Sequence, residues 1–151
     1  MKARAFFGVT MAAAALALAG TSVAHADSDE VNVNDYLVGD TAYFNSGIAS
    51  CSIKANGDVG CDITPGIAKW LNMIPVSDLA IDVPFLPAHP TFGVFGHYAR
   101  ADAGTLGGGP IGYGSTINYA GASCHGGGRG GFSCTSKGHS FSFGWSGTQT
   151  S

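Results

Sequence analysis

Charge is scarce in this chain. Asp, Glu, Lys and Arg make up 11% of its 151 residues. After Asp102 there is no acid at all. Beyond residue 26 the only strong bases are Lys54, Lys69, Arg100, Arg129 and Lys137, against ten acids, a net charge of about −5. That balance argues against nucleic acid as a partner, because neutralising phosphates needs clustered Lys and Arg. Asp27, Asp29, Glu30, Asp35 and Asp40 crowd one end and read as a solvated acidic leader. Other absences narrow the chemistry. There is no C-x2-C and no H-E-x-x-H, so no zinc spacing and no metal ligand set. There is no G-x-S-x-G elbow. Gly107-Gly-Gly-Pro110 lacks the Lys and Ser/Thr of a phosphate loop and reads as a turn. No cofactor is expected. No N-x-S/T site occurs, and no stretch after residue 26 could span a bilayer as a helix.

The first 26 residues read as an export signal. Lys2 and Arg4 form a basic start, residues 5–20 an apolar run, and Ala24-His25-Ala26 an A-x-A cleavage site. The expected organisation is a cleaved signal over 1–26, a flexible acidic leader over 27–40, one β-rich domain over 41–147 and a frayed tail over 148–151. The expected location is secreted or in the cell envelope.

Glycine is abundant instead, at 24 residues, and most of it lies between Gly104 and Gly147. Glycine weakens helices, so that region should hold turns, bulges and strands. The fold expected is mainly β: a small antiparallel sandwich or barrel-like domain with two disulfide-closed hairpins and one short helix.

The hairpins rest on the four cysteines. Cys51 and Cys61, and Cys124 and Cys134, share one spacing, C-x9-C. Four cysteines permit three pairings, and local geometry favours pairing within each repeat. A two-residue Asn56-Gly57 turn would set Cys51 opposite Asp62 and send the two sulfurs to opposite faces. A three-residue loop, Ala55-Asn56-Gly57, with Gly57 left-handed, sets Lys54 opposite Asp58, Ile53 opposite Val59 and Cys51 opposite Cys61. Lys54, Asp58, Ser52 and Gly60 then share a polar face. Centring the second loop on Arg129 sets Cys124 opposite Cys134, His125 opposite Ser133 and Gly126 opposite Phe132. Ala49-Ser50-Cys51 and Ala122-Ser123-Cys124 also match. Duplication and coincidence both fit that match.

Between and after the hairpins the pattern is looser. Thr64-Pro65 reads as a cap and first position, and Ile67, Trp70, Leu71 and Ile74 fall at helical spacing, so a short helix is expected over about 65–73. Residues 79–98 are apolar, and Pro84, Pro87 and Pro90 forbid a helix there. Two core strands, about 79–85 and 91–99, are expected, with an exposed apolar ledge used for binding as the alternative. Ile111 to Tyr119 reads as a strand. His139, Phe141, Phe143 and Trp145 alternate with Ser, Ser and Gly, which reads as a half-buried strand.

Catalytic residues do not emerge. Joining Ser115, His139 and Asp102 into a hydrolytic triad has composition behind it but no spacing. The candidate binding surfaces are the glycine loop with Arg129 at its tip and the aromatic strand His139, Phe141, Phe143 and Trp145. The stretch 110–145 resembles the C-terminal half of a family of small secreted actinobacterial proteins of unknown function, whose members carry a Y-G, a cysteine, a short variable loop, a second cysteine and a G-H-x-F ending, here Gly138-His139-Ser140-Phe141. FNSGIASC…VGCDI, 44–63, is similar to that family's first cysteine pair. The likeness covers about half of residues 27–151, and the apolar middle departs from it. It implies export and paired cysteines and supplies no activity. The function expected is a non-enzymatic secreted or envelope-associated binding or structural domain, with a cell-wall or envelope component or another protein as partner. A small secreted hydrolase and a subunit of an envelope β assembly are the alternatives.

Overall fold

A computed structural model describes residues 29–106, 114–127 and 130–151. The signal expected over 1–26, the turn expected at Gly107–Pro110, the start of the strand expected from Ile111, and Arg129 all lie outside the described residues.

The chain makes two antiparallel sheets packed face to face. The strands are β1 (Leu37–Val38), β2 (Thr41–Asn45), β3 (Ala49–Lys54), β4 (Val59–Ile63), β5 (Ala68–Trp70), β6 (Ile74–Val76), β7 (Asp78–Ile81), β8 (Gly104–Thr105), β9 (Thr116–Tyr119), β10 (Ala122–Gly126), β11 (Phe132–Ser136), β12 (His139–Phe143) and β13 (Gln149–Thr150). One sheet runs β1-β2-β3-β4-β7, with β8 joining β2 in parallel; the other runs β13-β12-β11-β10-β9. β5 and β6 form a separate hairpin, and the sheets do not close into a barrel. The mainly β expectation is met.

Both cysteine hairpins take the expected register. Cys51 opposes and bonds Cys61, with Ile53 opposite Val59. Gly57 has φ +81°, and its N–H donates to the Lys54 carbonyl at 2.9 Å, closing the bulged three-residue loop. Cys124 opposes and bonds Cys134, with Gly126 opposite Phe132. Period-2 alternation sends Ala42, Phe44, Cys51, Ile53, Cys61, Cys124, Cys134, Phe141 and Phe143 into one core. Phe44 of the first sheet meets Phe132 of the second at 6.3 Å between ring centroids.

The two halves repeat a four-strand unit. Across the first, Phe44, Cys51, Cys61 and Leu79 stand side by side. Across the second, Ile117, Cys124, Cys134 and Phe141 do the same. Three strands of each unit are joined at the same chain spacing. The units then diverge. The second closes β11–β12 with the tight turn Lys137-Gly138, both at positive φ. The first inserts the β5–β6 hairpin before β7, and a long connection leads on from β7 to β8.

Four expectations are corrected. Residues 65–73 are not helical. Gly66 takes φ +89° directly after Pro65, and Ile67 N–H bonds back to the Thr64 carbonyl, which is a turn with Pro and Gly at its two central positions. Leu71 and Asn72 also take positive φ and turn β5 into β6. The helical turn lies instead at Val33–Asp35, a 3-10 turn capped by Asn32. Second, the acidic segment is not a loose leader: Val31 N–H bonds to Thr116 O, Asn118 bonds to the Glu30 carboxylate, and β1 pairs with β2. Third, the tail is paired, with β13 against β12 and Ser140 and Ser151 exchanging both backbone bonds. Fourth, residues 91–99 form turns and not a strand.

Candidate functional site

The segment after β7 builds the most unusual surface of the molecule. His89 exchanges both backbone bonds with Ala80, at 2.8 and 3.0 Å, but pairing stops at that one bridge. Pro84, Pro87 and Pro90 bring no N–H to a ladder. Three tight turns follow from this. Leu86 N–H closes on Val83 O at 3.2 Å, Val94 N–H closes on Thr91 O at 3.0 Å, and Gly96 N–H closes on Gly93 O at 3.2 Å. Each turn throws its apolar side chains outward. Phe85 is 81% exposed, Phe92 65%, Val94 76%, Phe95 74% and Leu86 41%. Of the apolar stretch 79–98, Leu79, Ala80, Ile81, Ala88 and Tyr98 are buried as the core reading expected, whereas residues 83–96 carry an exposed apolar ledge, as the alternative had it.

The ledge is held from beneath by two carboxylates of the first sheet. Asp78, 3% exposed at the start of β7, accepts from the backbone N–H groups of Thr91 at 3.0 Å, Phe92 at 3.1 Å and Gly93 at 3.2 Å, and from the Thr91 hydroxyl. These bonds hold Phe92 at φ +53°, a conformation that costs a non-glycine residue roughly 1–2 kcal/mol. Asp62 of β4 accepts from Tyr98 N–H at 2.9 Å and Ala99 N–H at 2.8 Å. Between the two anchors the Tyr98 ring lies flush on Gly60, where a Cβ would collide with it. This is why β4 and β7 are buried on both faces and Ser52 is 4% exposed. The polar face read for the first hairpin is roofed by the ledge segment.

The second sheet buttresses the other end. Lys137 pairs with Asp58 and donates to the Asp82 carbonyl at 2.9 Å. His139 Nε2 meets the Pro84 carbonyl at 3.0 Å. Asp58 thus takes Lys137 as its ion pair, whereas Lys54, opposite it in the ladder, is exposed. Lys137 prevails because it is partly buried and gains a second acceptor. A pocket of about 220 Å³ lies here, lined by Ser52, Lys54, Asp58, Asp82, Phe95 and Tyr98 among others. Its Asp82 Oδ1 is buried and has no hydrogen bond, with His89 Nε2 3.4 Å away.

Burial pushes the Tyr98 phenol above its ordinary value of 10.0; its bond to Thr91 opposes that rise and the nearby Asp78, Asp82 and Asp62 add to it. From about pH 10 upward the unfolded phenol ionises while the folded one keeps its proton, so stability falls as pH rises through that window. Tyr98→Phe is expected to remove this alkaline loss, giving up one hydrogen bond of about 1 kcal/mol. Thermal melts across that window check it; equal alkaline slopes in the two proteins would refute it.

The residues singled out in the sequence are distributed differently. Phe141 and Phe143 are 1% and 2% exposed, stacked on each other in the core, so they form no binding surface. Trp145 is 95% exposed: β12 ends at Phe143, and Gly144 at φ +147° breaks the alternation before Trp145 can turn inward. His139 belongs to the footing of the ledge. At the neck of the glycine loop Gly127 N–H bonds to Gly131 O at 2.7 Å, and Arg129 lies outside the described residues. The triad members are not gathered. Arg100 bonds Asp102 at 3.0 Å, holding that carboxyl below the usual carboxylate range, and His139 is turned to Pro84. Among the described residues no group of three or more His, Cys, Asp or Glu could hold a metal ion. Phe92, Val94 and Phe95 were missed as surface residues, although Gly93 and Gly96 beside three prolines were a signal of turns.

Fold and site together define a mainly β, disulfide-pinned domain of two sheets that presents an apolar ledge on latched turns. No protein-family model matches the chain, and no curated protein and no solved structure matches it. Paired cysteines are compatible with an extracellular protein. Among the described residues no helix is long and apolar enough to cross a membrane.

Proposed function

We propose that the protein is an exported, non-enzymatic binding or structural domain, secreted or held in the cell envelope, and that the ledge is its working surface. One observation carries the reading: five large apolar side chains are exposed on fixed turns, Phe92, Val94 and Phe95 over the buried Asp78 carboxylate, and Phe85 and Leu86 beside the Asp82 and Pro84 carbonyls bonded by Lys137 and His139. Burying a Phe, Val or Leu side chain is worth about 1.5–3 kcal/mol. Leaving these five in water forgoes roughly 5–10 kcal/mol, comparable to the whole net stability of a small domain. A sequence under no demand for binding would fill such positions with polar residues. The placement agrees. Leu71, Met73 and Ile74 sit on the inserted β5–β6 hairpin, and Phe85 to Phe95 on the connection after β7, both additions to the repeated unit; of the described residues' large exposed apolar side chains, only Val38 and Trp145 lie elsewhere. The repeat supplies scaffold, and the additions supply surface.

Envelope fractions from the native cell provide the test. Bead-coupled protein should retain envelope material that the Phe85→Ser/Phe95→Ser variant retains at least about tenfold less, from the loss of two aromatic anchors. Equal retention by both proteins would remove the ledge from the function.

A further inference from the structure

We infer that the ledge is a self-association surface: its occupant is the same ledge on a second copy of this chain, related by a two-fold axis. The inference rests on the reading of the ledge as the binding surface and names what covers it.

Charge is the first argument. Residues 83–96, Val-Pro-Phe-Leu-Pro-Ala-His-Pro-Thr-Phe-Gly-Val-Phe-Gly, contain no Asp, Glu, Lys or Arg. The chain as a whole is acidic, with a net charge of −3. An anionic lipid or polymer surface would repel it, and the ledge brings no fixed positive charge to offset that. Two copies meeting ledge to ledge bring together a segment of each that carries no charged side chain, with Asp78 and Asp62 spent on backbone N–H groups beneath the turns.

Shape is the second. Three Phe side chains at 65–81% exposure, with Val94 and Leu86, are knobs. A head-to-tail contact would need an apolar socket elsewhere on the domain. The clefts at Asn45, Ser50, Asp62 and Thr64, and at Thr135, Lys137 and Ser140, set polar side chains in their walls, against which a buried phenyl ring would cost their hydration. Knob beside knob across a two-fold is the arrangement that buries them, and it closes at a dimer.

Area and order are the third. At 150–250 Å² per aromatic side chain the ledge offers roughly 600 Å². A two-fold contact would bury about 1,200 Å² in total, the lower limit of specific interfaces. The segment is already fixed, at 91–99 by Asp78 and Asp62 and at 82–84 by Lys137 and His139, so association pays little ordering entropy. These sizes imply a reversible dimer with a dissociation constant on the order of micromolar.

Sedimentation velocity and light scattering of the purified protein test this, with its N-terminus read by intact mass. The mass should rise from one chain toward two between about 1 and 100 μM. Phe85→Ser/Phe95→Ser should raise the dissociation constant at least about tenfold and leave unchanged the melting curve taken well below about 1 μM, where the chain is monomeric, because both rings are exposed. Met73→Ser, equally exposed on the inserted hairpin, should leave the dimer intact. Added salt should strengthen association by screening like charge and favouring apolar burial. A monomer at every concentration overturns the inference, as does a dimer that Met73→Ser dissociates or that salt weakens. Flotation with neutral phosphatidylcholine vesicles separates the two levels. A monomer that floats through the ledge overturns the second copy and keeps the ledge as a binding surface. A monomer that neither floats nor retains envelope material overturns both.

Discussion

Removing both disulfides is expected to leave the domain unfolded or nearly so at ordinary temperature. Each bridge closes a loop between cysteines ten positions apart. Loop-closure entropy for that length is worth about 2.5 kcal/mol per bridge, so about 5 kcal/mol together. The whole net stability of a domain of this size starts near that figure. Packing adds to the loss, since all four cysteines are at most 1% exposed and sit in the shared core. The effects should also differ in kind. Cys51–Cys61 ties β3 to β4, and β4 carries Asp62, which anchors the ledge. Cys51→Ala/Cys61→Ala should therefore speed hydrogen exchange at Tyr98 and Ala99 as well as lower the urea midpoint. Cys124→Ala/Cys134→Ala should lower the midpoint and leave those amides protected while the domain is folded. A fully reduced protein with an unchanged midpoint would contradict the estimate.

What the sequence encoded legibly was local and two-fold periodic. The Ala55-Asn56-Gly57 loop followed from parity: only an odd loop puts Cys51 and Cys61 on one face, and Gly57 supplies the positive φ such a loop needs. The same parity set Gly126 opposite Phe132. The repeated four-strand unit was legible only as the shared C-x9-C spacing and the Ala-Ser before each repeat's first cysteine, because its other matches are registers and not residue identities. At Pro65 two local signals competed. Helical spacing of Ile67, Trp70, Leu71 and Ile74 pointed one way and Gly66 the other, and a left-handed Gly inside the first turn ends a helix before it starts. At Trp145 a strand-like alternation ran on past Gly144, whose backbone had already left the strand.

The ledge was illegible for a different reason. Its apolar residues look like core because core is where such residues usually go. Its backbone is satisfied by Asp78 and Asp62, which precede it in sequence on two neighbouring strands. Nothing in the run 91–99 indicates that carboxylates lie beneath it, and nothing around Asp78 says it is buried. A buried carboxylate accepting several backbone N–H groups does for these turns what a ladder does for a strand, at positions where prolines and glycines rule the ladder out.

Asp78→Ala is the substitution that should separate the ledge from the scaffold. It strands three backbone N–H groups and the Thr91 hydroxyl, each costing about 1–3 kcal/mol if left unpaired and buried. The segment will not stay in place at that cost. It should peel from the sheet and hydrate, for a net loss of about 3–5 kcal/mol, while the disulfide core remains folded. Association through the ledge should then fall, because partner binding must now order the turns at about 1–2 kcal/mol per residue fixed. Asp78→Asn should behave differently. Oδ2 accepts from Thr91 N–H, the Thr91 hydroxyl and Gly93 N–H, whereas Oδ1 accepts only from Phe92 N–H. An amide can keep its oxygen at the Oδ2 position and turn its NH2 toward Phe92 alone. One donor is lost, not four, and the cost should be about 1–2 kcal/mol. Residue-resolved hydrogen exchange reads the distinction: in Asp78→Asn the Phe92 amide alone should lose protection, and in Asp78→Ala the amides of Thr91, Phe92 and Gly93 should lose it together. If both variants left all three amides protected, Asp78 would not be the latch, and the fixed presentation on which the ledge depends would have to come from Asp62 and Tyr98.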